Sequence, residues 1–281
     1  MRRRLPSPSS RLTLRRGLRV SPICIGIVGD PRTVEAAFEA GINFFFVTAD
    51  MHWPLYAATR RGLRSLFRRG PSVRDEVAVA GVCYPTQPEF NEAPFEELVA
   101  AVPGLGRIDV AVMGGAYGSD FFVRQPVYAR HRATRYAGIR AIGATFHDRA
   151  AVAPAMNHGL VDIAFARYNP AHPGAREDLF PQIDRAARTP LFNFTNSSGY
   201  VGATRRAALG VPADVWAPAP EDCYRFALSR REIDGLLCAP ATPRHLTRLL
   251  DALARPPLTE DETNILINLA RLDSGEASLG D

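Results

Sequence analysis

Residues 141–168 read AIGATFHDRAAVAPAMNHGLVDIAFARY, and this stretch contains the repeating unit that predicts the fold. An apolar, β-prone run over Ala141–Phe146 is followed by a helical segment over Arg149–His158 and by a second apolar run over Ile163–Tyr168. A strand, a helix and a strand in this order are typical of two parallel strands joined by a crossover helix. The unit therefore predicts a parallel sheet with helices packed outside it.

The same alternation continues in both directions along the 281 residues. Six further apolar runs are predicted as strands: Ile23–Ile27, Asn43–Thr48, Val77–Val82, Ile108–Met113, Leu191–Thr195 and Ile233–Cys238. The intervening helical stretches include Thr33–Ala40, Leu55–Phe67, Pro94–Ala101 and Phe122–Arg135. Eight strand–helix units predict an α/β protein of the (β/α)8 TIM-barrel class, whose active site lies at the C-terminal ends of the strands.

Local signals agree with this arrangement. Asp30-Pro31 and Thr242-Pro243 each place a capping side chain before a proline at the first helical position, and Thr259–Glu262 is a capping box that opens a final helix. Residues 11–20 are predicted to form a hairpin that closes the bottom of the barrel. We expect residues 1–10 to be a disordered basic tail and residues 11–281 to form a single barrel domain.

Composition excludes several classes of protein. The net charge is +5, and all 34 basic residues are arginine, spread without an aromatic-interleaved basic stripe, which argues against nucleic-acid binding. An apolar run of about 18 residues is missing, so no membrane span is expected. The four cysteines show no CxxC spacing, and no apolar segment of a secretory signal follows the basic N-terminus. We expect reduced thiols and a cytoplasmic location.

Several motifs resemble the aldo-keto reductase superfamily. They lie in the same order over roughly residues 17–270. The matching stretches are Gly41–Phe45 with the helix before it, Arg107–Val110, Ile139–Gly143, Tyr168–Pro181 and Leu258–Glu262; Phe146–Arg149 and Asp222–Ser229 resemble a divergent branch. The resemblance implies a TIM barrel, a nicotinamide cofactor and carbonyl reduction by an Asp, Tyr, Lys and His tetrad, in which the Tyr donates the proton.

The tetrad implied by this resemblance is degenerate in the sequence. The Asp position falls on Phe46 or Val47, and the Tyr position on Met51 or His52, depending on the alignment. The Lys position falls near Val82 and the His position on Gly114, and the chain contains no lysine at all. Loss of a general acid alone typically costs about 10²- to 10⁴-fold in rate, so orthodox carbonyl reduction is not expected.

The cofactor contacts that the resemblance implies are altered as well. The residue pair after the fifth strand reads Thr145-Phe146, and the glutamine position of the sixth strand is Phe165. In the phosphate-binding segment the arginine position is Ala241. Phe194 is the candidate aromatic for stacking on nicotinamide, and Arg244 is a weaker candidate for a phosphate, the alternative being an exposed helical arginine.

Polar residues nevertheless gather where the predicted strands end. His52, His147, Asp50 and Tyr117 are the catalytic candidates, because imidazole titrates near neutral pH and Asp50 could orient His52. The alternatives are that His52 is an exposed residue near the next helix and that His147 caps the helix beginning near Asp148. The candidate substrate-binding residues are Tyr84, Arg167, Asn169, Asn193, Asn196 and Tyr200.

Some of these candidates have structural readings too. Arg167 could bind an acidic substrate, since guanidinium pairs with carboxylate or phosphate, or it could form an ion pair with Asp162 or Glu177. Tyr84, Tyr117 and Tyr200 could donate protons or simply line a pocket. The histidines show no HxH or HExxH spacing, so no metal is assigned.

Three functions remain open from the sequence. The first is an enzyme acting on a small organic molecule by acid–base chemistry, such as dehydration, cyclisation or isomerisation, without a required cofactor. The second is an NAD(P)H-dependent oxidoreductase with a replaced proton donor. The third is a non-catalytic barrel that acts as a binding or regulatory subunit. The sequence does not indicate the substrate or the oligomeric state.

Overall fold

The computed structural model describes residues 4–48, 50–187 and 189–277. In it, strands β3–β10 are parallel neighbours and close a barrel. The strands are β1 Leu12–Thr13, β2 Arg19–Val20, β3 Ile23–Ile25, β4 Phe44–Thr48, β5 Ala78–Cys83, β6 Val110–Ala116, β7 Ala141–Phe146, β8 Ile163–Arg167, β9 Leu191–Phe194 and β10 Gly235–Cys238. The predicted TIM barrel and its eight strands are thus confirmed.

Helices follow the barrel strands and cover the outside of the barrel. They are α1 Arg32–Glu39, α2 Ala57–Phe67, α3 Pro71–Glu76, α4 Ala93–Ala101, α5 Gly118–Thr134, α6 Val152–Asn157, α7 Ala175–Asp178, α8 Ala203–Ala208, α9 Asp222–Leu228, α10 Pro243–Leu253 and α11 Glu260–Ser274. The predicted helix from Leu55 begins at Ala57, since Pro54 lies in a preceding 3₁₀ turn. The one predicted from Phe122 begins four residues earlier, because the Asp120 carboxylate accepts the Tyr117 N–H over 2.7 Å.

The caps predicted at Thr242 and Thr259 are present, whereas α1 begins at Arg32, so Pro31 stands at its N-cap rather than at its first helical position. The Thr242 hydroxyl accepts from the N–H of His245 over 3.2 Å. At the last helix, Thr259 Oγ1 accepts from Glu262 N and Glu262 Oε2 accepts from Thr259 N, which is the capping box. Asp30 Oδ1 accepts the N–H of Arg32 at the start of α1. These bonds satisfy N–H groups that a helix leaves open at its first turn.

The N-terminal hairpin lies at the end of the barrel where the strands begin. Strands β1 and β2 pair antiparallel, with Leu12 opposite Val20, as the sequence predicts. Asn43, just before β4, accepts the N–H of Ser21 with its Oδ1 over 2.7 Å and donates through Nδ2 to the carbonyl of Arg19. Leu14 and Leu18 are buried beneath the hairpin. It therefore closes the bottom of the barrel and leaves the opposite end as the candidate mouth.

The segment predicted as a disordered tail lies partly outside the described residues, since residues 1–3 are not among them. From Arg4 onward the chain lies along the barrel. Leu5 is buried. Ser9 lies beside Gly41, where a Cβ would come within 3.1 Å of the Ser9 Cβ, and the φ of +90° at Gly41 is one that glycine adopts readily. Leu5 thus packs against the domain in the structure, and the expected disorder of residues 1–10 stays a prediction.

Phenylalanine rings fill the interior of the barrel. Phe46 of β4 and Phe165 of β8 meet edge-on with centroids 5.4 Å apart, although these strands lie on opposite sides of the barrel. Phe192 of β9 contacts Phe165 at 5.5 Å, and β10 makes room for it with Gly235, where a Cβ would lie 2.5 Å from the Phe192 ring. All three phenylalanines are buried. Interdigitated side chains make this interior a packed core below the mouth.

Candidate active site

The mouth of the barrel is lined by side chains one layer above the phenylalanines. Side chains alternate along a strand, so residues two positions beyond an inward-facing residue also face inward. Phe165 and Phe192 are paired in register and touch inside the barrel, so Arg167 and Phe194, also paired in register, face the mouth. Thr48 follows Phe46 in the same way. Arg167 and Phe194 are half-buried.

Asp50 joins the ends of two strands. Its Oδ1 accepts the hydroxyl of Thr48 over 2.7 Å, and its Oδ2 accepts the N–H of Tyr84 over 2.6 Å. Among the described residues, no hydrogen bond joins Asp50 to His52. The expectation that Asp50 orients His52 is therefore not met, because one carboxylate oxygen accepts from Thr48 of β4 and the other accepts from Tyr84 just after β5.

His52 lies against Tyr84. The two rings meet edge-on with centroids 4.4 Å apart, and His52 is half-buried at the start of the 3₁₀ turn Trp53–Tyr56 without capping it. The Tyr84 ring fills the space where a side chain at position 114 would be, since a Cβ on Gly114 would lie 2.6 Å from Tyr84 Cδ1. Burial, and then the charge of Asp50, raise the pKa of Tyr84 to about 12, so its phenol keeps its proton at neutral pH.

His147 lies at the end of β7, among aromatic rings. Its imidazole stacks on Tyr117 with centroids 5.7 Å apart and meets Phe194 edge-on at 5.9 Å. The cap of the following turn is Asp148, whose carboxylate accepts the N–H of Ala150, so His147 does not serve as the cap. Its side chain remains exposed at the mouth.

Gly115 separates the two halves of the mouth. It lies in a bulge of β6 with φ of +61°, and a Cβ there would lie 3.6 Å from both Tyr84 Cδ1 and His147 Cδ2. Its N–H donates to Thr145 Oγ1 over 2.7 Å. Tyr84 and His147 therefore flank one spot that carries no side chain. A small molecule placed over Gly115 would contact both rings.

Arg167 has no carboxylate within 4.0 Å among the described residues. The ion pair with Asp162 considered from the sequence is wrong, because Asp162 Oδ1 and Oδ2 bind Arg132 at 2.8 and 2.9 Å and Oδ2 also accepts the N–H of Ile142. The pKa values of His147 and His172 are lowered, first by burial of the imidazoles and second by the positive charge of Arg167. The mouth thus holds an unpaired cation beside a neutral imidazole.

Replacing Arg167 with Gln is expected to raise the pKa of His147. Removal of a positive charge makes the imidazolium form less unfavourable, and because burial is the larger cause, the pKa should rise only part of the way towards 6.5. Titration of the histidine Cε1–H signals by NMR measures this. The His131 signal is the internal control, because burial, Glu92 and Arg130 set its pKa. An unchanged His147 titration would contradict the proximity of the two groups.

The three candidate asparagines are engaged in internal hydrogen bonds. Asn193 accepts the N–H of Tyr168 over 2.6 Å and donates to Asn196, which donates to the carbonyl of Leu237. Asn169 donates to the carbonyl of Thr195. All three are buried. Their hydrogen bonds join the ends of β8, β9 and β10. These asparagines therefore fix the positions of the strands at the mouth, and their amide groups are already used in internal hydrogen bonds.

The remaining sequence candidates lie at the edge of the site. Tyr200 is half-buried against the core, and burial raises its pKa. Tyr117 is exposed and contributes the ring that stacks on His147. Arg244 is exposed on the first turn of α10. The structure therefore brings Asp50, His52, Tyr84, Tyr117, His147, Arg167 and Phe194 together around the mouth, and leaves Arg244 outside it.

A nicotinamide cofactor, which the resemblance implies, finds few partners in this arrangement. The carbonyl of Ala241 in the phosphate segment accepts the N–H groups of Gly29 and Asp30, so the segment is closed onto the loop after β3. At the start of α10, Pro243 has no N–H and the N–H of His245 is taken by Thr242. Phe165, at the glutamine position, is buried in the core. The residues present do not fit the diphosphate and carboxamide groups of such a cofactor.

Two contributors were missed in the sequence. Tyr56 is buried beside Phe46, 6.3 Å between centroids, and lies near Tyr84. Arg60 donates to the carbonyls of Thr48 and Trp53 and stacks over the Trp53 ring, which fixes the loop that carries His52. The helical spacing of Tyr56 and Arg60, four residues apart, would have placed both on one face of the turn and helix after β4.

Among the described residues, no helix is long and apolar enough to cross a membrane. Within the same ranges, no three His, Cys, Asp or Glu side chains come close enough to hold a metal ion.

Comparison with known proteins supports the fold. No protein-family model and no curated protein sequence matches the chain. A solved structure of an aldo-keto reductase from Bacillus halodurans, in its holo form, is similar, with a TM-score of 0.69 and 15% sequence identity over 94% of this chain and 97% of that one. The structural resemblance predicted from the sequence motifs is confirmed. At this identity the likeness establishes a common fold and leaves the chemistry to the site itself.

Proposed function

We propose that this protein is an enzyme that moves protons on a small organic molecule at the barrel mouth, with His147 as general base and Tyr84 as general acid. The observation that carries the proposal is that a side-chain atom built at Gly115 would lie 3.6 Å from a ring carbon of both Tyr84 and His147. Their pKa shifts favour a neutral imidazole and a protonated phenol. These are the forms that a base and an acid need at neutral pH.

The chemistry of such a pair is balanced without a co-reactant. His147 removes a proton from a carbon next to a carbonyl group, and Tyr84 donates its phenolic proton to the carbonyl oxygen as that oxygen gains charge. The resulting enol takes a proton at another carbon, which is an isomerisation, or loses a neighbouring hydroxyl group as water, which is a dehydration. In an isomerisation, the proton that His147 has taken returns to the product and Tyr84 is reprotonated from the enol. In a dehydration, the proton on His147 leaves with the hydroxyl group as water, and the enol oxygen returns its proton to Tyr84 as the carbonyl re-forms.

The tetrad positions support chemistry of this kind over carbonyl reduction. The position implied for the Asp is Phe46 or Val47, both buried, and Phe46 packs against Phe165 in the core. At the position implied for the His stands Gly114, where a side chain would meet the Tyr84 ring. We infer that the interior was rebuilt as a packed apolar layer and that the remaining polar groups act above it. Because the His52 ring meets the Tyr84 ring edge-on, we propose that His52 accepts or returns the phenolic proton.

A second candidate is an NAD(P)H-dependent oxidoreductase with a replaced proton donor. One observation favours it: Phe194 faces the mouth beside His147, where a planar ring could stack. The two candidates differ in what they require. The oxidoreductase needs nicotinamide for every turnover, whereas the acid–base enzyme works without it.

Incubation in deuterium oxide distinguishes the two. We expect the protein to incorporate solvent deuterium into, or remove water from, members of a panel of keto and hydroxy organic acids, measured by proton NMR without any cofactor. Addition of NADPH should change neither the rate nor the intrinsic protein fluorescence. Turnover that occurs only with NADPH would overturn the proposal in favour of the oxidoreductase.

A further inference from the structure

One side of the mouth carries large apolar side chains that are exposed in the described structure. The exposed large hydrophobic residues are Met51, Trp53, Leu55, Phe90, Tyr117, Phe122 and Val123. Every one of them lies in a segment that follows β4, β5 or β6, or in the first turns of α5. Phe122 and Val123 are 53% and 60% exposed. We call these seven residues the apolar rim.

An apolar rim of this kind is unusual on the surface of a folded protein. Single exposed hydrophobic residues are common, but several that follow neighbouring strands at the same end of a barrel indicate a surface that contacts something apolar. The rim is confined to the side of the mouth formed by β4, β5 and β6. Tyr117 connects it to the site, because its ring stacks on His147.

The opposite side of the mouth is cationic. Arg167 of β8 faces the mouth and, among the described residues, has no carboxylate partner, while the acidic residue nearest to it in sequence is bound elsewhere. An unpaired, half-buried guanidinium is the group of choice for a carboxylate or a phosphate, which it can bind through two parallel hydrogen bonds. Around the barrel, β7, which is followed by His147, lies between β6, which is followed by Tyr117, and β8, which carries Arg167.

From this arrangement we propose that the substrate is an amphipathic organic acid, with its carboxylate or phosphate group on Arg167 and its apolar body on the apolar rim. The inference rests on the function proposed above and names its substrate class. An acid anchored at Arg167 has its neighbouring carbon atoms beside His147 and over Gly115, where the proton would be removed. The body of the molecule then leaves the mouth over Tyr117 and reaches Phe122.

Binding of four probes by isothermal titration calorimetry tests the inference: 6-phenylhexanoate, 6-phenylhexyl phosphate, 6-phenylhexan-1-ol and butanoate. We expect at least one of the two phenylhexyl anions to bind about tenfold or more tightly than the alcohol, because a charge-assisted bond to Arg167 is lost in the alcohol. The anion that binds more tightly identifies the head group. Butanoate should bind about tenfold or more weakly than phenylhexanoate, because it has no body to bury.

Three variants locate the two contacts. Arg167→Gln should abolish the preference for the anion, whereas the matched control Arg68→Gln, an exposed arginine at the far end of α2, should keep it. The double substitution Phe90→Ser and Phe122→Ser should weaken binding of phenylhexanoate and leave butanoate unchanged. Both of these side chains are exposed, so the fold should be unaffected, which circular dichroism verifies.

The outcomes that overturn the inference are distinct from those that overturn the proposed function. Equal binding of acid and alcohol, an Arg167→Gln variant that keeps the preference, or a dimer in sedimentation that covers the rim and excludes the probes would each reject the amphipathic acid. His147→Asn should bind the acid as the wild type does. Tight binding of acids with no proton exchange on any of them would reject the catalytic proposal and leave this one standing.

Discussion

Replacing His147 with Asn is expected to lower turnover by about 10²- to 10⁴-fold, the usual cost of removing a general base. Asn keeps a polar side chain of similar size but cannot take up a proton. The His147 side chain is exposed at the mouth, so its replacement should leave the stability of the barrel unchanged. The rate of deuterium incorporation under saturating substrate measures the effect. A fall of less than threefold would remove His147 from the mechanism.

Two companion variants make this result specific. His158→Asn changes an exposed histidine at the end of α6, away from the mouth, and should leave the rate unchanged. Tyr84→Phe should also lower turnover strongly, while keeping the ring that covers Gly114. A cavity of about 430 Å³ beside His147, lined also by Asp148 and Arg149, is large enough to admit free imidazole, which should restore part of the lost rate.

The pH profile of the wild type adds a second readout. A general base works only when it is deprotonated, so kcat/KM should fall as the pH drops through the pKa of His147, which burial and Arg167 hold below 6.5. In Arg167→Gln this acidic limb should move to higher pH, since the imidazolium is no longer opposed by a neighbouring cation. A limb that does not move would assign the titration to another group.

The barrel could be predicted from the sequence because its signals are local. The length and the residue pattern of each apolar run identify a strand. Eight strand–helix units in a row are compatible with few topologies other than a closed barrel. Thr242 and Thr259 mark helix starts with bonds that span only three residues. The bulge at Gly115 and the 3₁₀ turn at Trp53 shifted element ends, because both depend on contacts with neighbouring strands.

The site was predicted as a set of residues but not as an arrangement. Asp162 directly precedes β8 and Arg167 ends it, and at about 3.3 Å per residue an extended segment of this length separates the two by roughly 16 Å, which argues against an ion pair from the start. The contact of Tyr84 with Gly114 joins two strands that are far apart in sequence, and no local pattern signals it. The same holds for Asn193, whose side chain accepts from Tyr168 just after β8 and donates to Asn196 just after β9.

Restoring an acidic residue inside the barrel is expected to destabilise the protein severely. Phe46→Asp removes a ring that contacts Phe165 and Tyr56, and loss of a buried Phe typically costs about 3–5 kcal/mol. The carboxylate would be buried without a partner, which adds to that cost. For a domain of this size each kcal/mol lowers Tm by about 2–4 °C, so thermal unfolding should fall by at least about 10 °C.

The pH dependence separates the two causes of this loss. Burial would raise the pKa of the introduced carboxyl above its unfolded value of about 3.9, so the charge-related penalty is absent below that pH and grows as pH rises towards the folded pKa. Phe46→Leu, the control, should cost less and show no such dependence. If Phe46→Asp were instead as stable as Phe46→Leu at neutral pH, water would have to reach this position. The interior would then be open to polar groups rather than a packed apolar core.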